Sequence, residues 1–75
     1  MAYELEAEDK KAIIDSHIRR LTYEKYNGEI SLIVEENAAV VDQTMINSLN
    51  EKILDLNNKI QKLETVKLEL NSQEN

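Results

Sequence analysis

Seventy-five residues with a formal charge of −6, no cysteine, no proline and one glycine leave room for at most one domain. The missing cysteines exclude a disulfide framework and a thiolate metal site, and the acidic balance argues against nucleic acid, whose phosphates are bound by Lys and Arg. With no Phe or Trp, and only Tyr3, Tyr23 and Tyr26 as aromatics, Ile, Leu and Val must fill any core; the scarcity of turn residues predicts an all-α chain.

The first helix is expected near Glu8, after an acidic lead of Glu4, Glu6, Glu8 and Asp9 that suits the positive end of a helix dipole. Residues 1–7 are expected to fray. Ile14, Ile18 and Leu21 then recur at helical spacing, and Glu6 with Lys10 and Asp15 with Arg19 run in the favourable acid-first i,i+4 direction. Beyond Leu21 the stripe falters, since continuing it would bury Lys25, Gly28 and Glu35. A second stripe of Tyr23, Tyr26, Ile30 and Ile33 is expected to take over.

Gly28 could end the helix in a left-handed cap, but a lone strand over Ile30–Val34 would find no sheet in so short a chain. Continuation to about Glu36 is preferred, with Gly28 tolerated at a cost of about 1 kcal/mol. Asn37 to Asp42 then form the link, with Asp42 or Thr44 capping the next helix.

The second helix, about 43–72, carries one unbroken heptad: Ile46, Leu49, Ile53, Leu56, Ile60, Leu63, Lys67 and Leu70. Ile at a and Leu at d suit a parallel two-stranded zipper. The flanks give that arrangement little support, because only Lys59 with Glu64 would match across it. Leu54 and Leu68, with Met45 and Val66, widen the apolar surface beyond a narrow seam. Two arms of nearly equal length suit an antiparallel αα-hairpin with coiled-coil-like packing, paired with a second copy as a dimeric four-helix bundle. Residues 71–75 are polar and expected to fray.

Arms set level about the link place Ile33 by Ile46, Ile30 by Leu49, Tyr26 by Ile53, Ile18 by Ile60 and Ile14 by Leu63. Lys67, the one polar break in the seam, then approaches Glu8, Asp9 and Ala12, and reads as a register or partner selector.

Chemistry finds little to rest on. His17 lacks the Glu three residues earlier that bundle di-iron sites require, since that position is Ile14. Asp55 begins no calcium loop, the single Gly28 makes no phosphate cradle, and Ser16, Ser31, Ser48 and Ser72 have no histidine in a credible triad. Lys10, Lys11, Arg19 and Arg20 point in four directions round a helix and make no basic patch. No catalytic residue, metal or cofactor is implied, and an enzyme is not expected.

The segments YEKYNGEISLIVEEN and DQTMINSLNEKILDLNNKI together resemble the small helical proteins common in tailed phages of marine cyanobacteria. That family has no assigned activity, so the resemblance implies a viral origin and no mechanism. With no positively charged start followed by an apolar h-region in these residues, and no apolar run near the roughly 20 residues that span a bilayer, the expected location is the cytoplasm, or the host cytoplasm or virion if viral. The expected role is a structural or adaptor module partnered chiefly by itself. The alternative is a regulator or inhibitor that binds another protein through an apolar groove.

Overall fold

A computed structural model describes residues 4–73, which fold as two antiparallel helices, α1 (Ala7–Glu36) and α2 (Gln43–Gln73), packed along their length. Among the described residues there is no strand. Residues 1–3 and 74–75, where fraying is expected, lie outside them.

α1 starts after Glu6, whose side chain makes no capping hydrogen bond; Glu8 and Asp9 in the first turn supply the negative charge that the exposed N–H groups favour. It passes through Gly28 without a break, and Gly28 does not take a positive φ. Asn37 closes the helix, its backbone N–H and side-chain Nδ2 both donating to the Ile33 carbonyl at 3.2 and 2.8 Å. Asp42 caps α2, its carboxylate accepting from the Met45 N–H at 3.2 Å while its carbonyl accepts from Ile46 N–H at 3.1 Å.

The core is a single line of side chains between the two helices. Leu21, Leu56 and Ile60 form its centre, flanked by half-buried Ile18 and Leu63, and Ile46 is buried nearer the hairpin tip. The molecule is a rod of 58 × 21 × 17 Å.

Candidate association face

The heptad of α2 turns inward along its whole length. Ile46, Leu56 and Ile60 are buried, and Leu49, Ile53, Leu63, Lys67 and Leu70 are half-buried. On α1, Ile14 and Ile18 are half-buried and Leu21 is buried, as residues facing α2 should be.

The expected change of stripe in α1 does not carry the hairpin. Gly28 stands opposite Ile53, so close that a Cβ on the glycine would lie 3.2 Å from Ile53 Cγ1. Tyr26, Ile30 and Ile33, expected level with Ile53, Leu49 and Ile46, instead face away from α2 and are exposed, as is Tyr23. A continuous α-helix keeps its phase: once Ile14, Ile18 and Leu21 face α2, the same heptad brings Lys25, Gly28 and Leu32 round to that side. The polar and small members are accommodated individually. Lys25 extends its ammonium to Asn57 Oδ1 at 3.1 Å, and Gly28 leaves room for Ile53. Leu32, half-buried, is the apolar member of this part of the line; the regular spacing of residues 14, 18, 21, 25, 28 and 32 was the available signal.

The register differs from the level-arm expectation at the far end as well. Lys67 does not reach Glu8 or Asp9; its Nζ lies 2.8 Å from Asp15 Oδ1. Asp15 is therefore engaged across the hairpin, and Arg19 lies over the Tyr23 ring at 6.0 Å from its centroid. Lys59, expected to find Glu64 only in a parallel zipper, pairs within α2 with Asp55 at 2.8 Å. That hydrogen bond, reinforced by the carboxylate charge, raises the Lys59 pKa above its ordinary value.

His17 is exposed and accepts a hydrogen bond at Nδ1 from Arg20 Nη2 at 3.2 Å. Among the described residues no group of three or more His, Asp or Glu is placed to hold a metal ion, and no helix is long and apolar enough to cross a membrane.

What the hairpin leaves uncovered is a second apolar line on α1. Tyr23 (66% exposed), Tyr26 (62%), Ile30 (41%) and Ile33 (55%) follow one another at 3-4-3 spacing, with Val34 alongside. At about 100° per residue their mean direction is roughly 150° round the helix from the seam. A shallow groove of about 440 Å³ opens beside them, lined by Arg19, Thr22, Tyr23 and Tyr26. Leu54 and Leu68 on α2 are also exposed, but they stand fourteen residues apart with Gln61 between them and form no continuous stripe. Compared with known proteins, the chain matches no family model, no curated relative and no solved structure.

Proposed function

We propose that this chain is a non-enzymatic helical interaction module with a structural or adaptor role, and that its working form is a homodimer in which two hairpins assemble four helices. The observation that carries this reading is the surface left uncovered. The chain exposes 5972 Å², about a quarter more than the roughly 4,700 Å² that scaling gives a compact monomer of this mass. Six large hydrophobic side chains of α1 alone are exposed. A two-helix rod buries one face of each helix and no more, which is a small core for a chain of this length. A second copy is the simplest way to cover the rest.

Sedimentation equilibrium tests this directly. A dimer at micromolar concentration is the expected result. A fully folded monomer at 100 µM would overturn the reading.

A further inference from the structure

We infer that the second copy docks on the back of α1, so that two α1 helices pack antiparallel through Tyr23, Tyr26, Ile30 and Ile33, with the α2 helices outermost. This rests on the self-association proposed above and specifies its surface and direction.

The face has the size for the task. Its exposed side chains present on the order of 500 Å² of apolar surface per copy. With its polar flanks it approaches the about 800 Å² per partner of a standard interface.

Its spacing is its own mirror image. Reversed about the level of Gly28, Tyr23 meets the second copy at the level of Ile33, and Tyr26 meets it at the level of Ile30. Each layer then sets one ring against one branched aliphatic side chain. A parallel pair would instead stack each tyrosine on its own copy.

Charge favours the same direction. Arg19 continues the apolar line at one end. At the other end lie Glu36 and the C-terminal carbonyls of α1, whose last turn contains no basic residue. An antiparallel pair brings each Arg19 to the opposite copy's negative helix end, where a cation is stabilised. A parallel pair would set Arg19 against Arg19 within the seam, outweighing the rim match of Asp15 with Arg20 that it would gain, because rim charges remain hydrated. The antiparallel pair carries one cost of its own: Glu29 comes near Glu29 across the symmetry axis, so Glu29→Gln should tighten it.

The absence of cysteine makes cross-linking decisive. Oxidation of Tyr23→Cys mixed with Ile33→Cys should give a disulfide heterodimer, while each variant alone stays uncross-linked because its like positions stand about 15 Å apart along the helices. Self-cross-linking of each variant alone would overturn the antiparallel arrangement. In sedimentation, Ile30→Glu should raise the dimer Kd about 100-fold with helicity retained, because that side chain lies off the intrachain seam. Leu54→Glu, on α2, should change it less than about threefold. A dimer untouched by Ile30→Glu would overturn this face and leave self-association standing; a wild-type monomer at 100 µM would overturn both.

Discussion

Replacing Gly28 by alanine sets two effects of similar size against each other at the closest approach of the helices. Alanine in a helix interior is better than glycine by about 1 kcal/mol, chiefly through the entropy of the unfolded chain. Against this, the new methyl would meet Ile53 Cγ1 at 3.2 Å and Cδ1 at 3.8 Å. The nearer contact is a few tenths of an ångström inside the usual carbon–carbon separation. Ile53 is half-buried, and a two-helix rod has no third wall to prevent the arms opening by that amount. The strain should therefore consume about half of the gain, leaving Gly28→Ala stabilising by about 0.5 kcal/mol. In an Ile53→Ala background, where both contacting carbons are gone, the same substitution should recover the full gain of about 1 kcal/mol. The difference, about 0.5 kcal/mol, is the coupling between the two positions. Urea unfolding followed by circular dichroism at 5 °C and one protein concentration measures all four corners of the cycle, the fixed concentration guarding against mass-action effects. Equal effects of Gly28→Ala in both backgrounds would refute the placement of Gly28 against Ile53, and with it the register of the hairpin.

Three further outcomes are expected. Lys67→Ile exchanges a partly exposed ion pair with Asp15, worth at most about 1 kcal/mol, for apolar burial in the seam, and should raise Tm by about 5 °C in a thermal scan; a fall would mean that the ion pair outweighs the burial. Asp42→Ala removes the carboxylate that accepts from Met45 N–H and should lower stability by about 1 kcal/mol in denaturant titration, while an unchanged midpoint would show that the cap is dispensable. Lys59 should titrate above 10.5 in an NMR pH series and fall back toward that value in Asp55→Asn; because its folded-state pKa is raised, its contribution is present below the ordinary lysine value and lost as pH rises through the folded one. A Lys59 transition indifferent to Asp55→Asn would count against the pair.

The helices and their ends were legible in the residues themselves, because they depend on local chemistry. The heptad of Ile46 to Leu70 can only be a helix with one apolar side, the depressed propensity from Asn37 to Asp42 can only be a link, and Asp42 is a good N-cap wherever its helix goes. Gly28 was ambiguous, and continuation followed from the lack of any sheet for a strand to join.

The sequence by itself determined that α1 has two apolar stripes and that α2 has one. Only the tertiary structure decided which stripe of α1 meets α2. Composition favours the line of Tyr23, Tyr26, Ile30 and Ile33, but helix phase favours the line through Lys25, Gly28 and Leu32, which Ile14, Ile18 and Leu21 have already committed to the seam. Phase prevails because a straight helix cannot rotate its face by some 150° within two turns, whereas Lys25 can extend to Asn57 and Gly28 can yield space to Ile53. The more apolar line is thereby left outside, and a hairpin becomes a molecule with a face to offer.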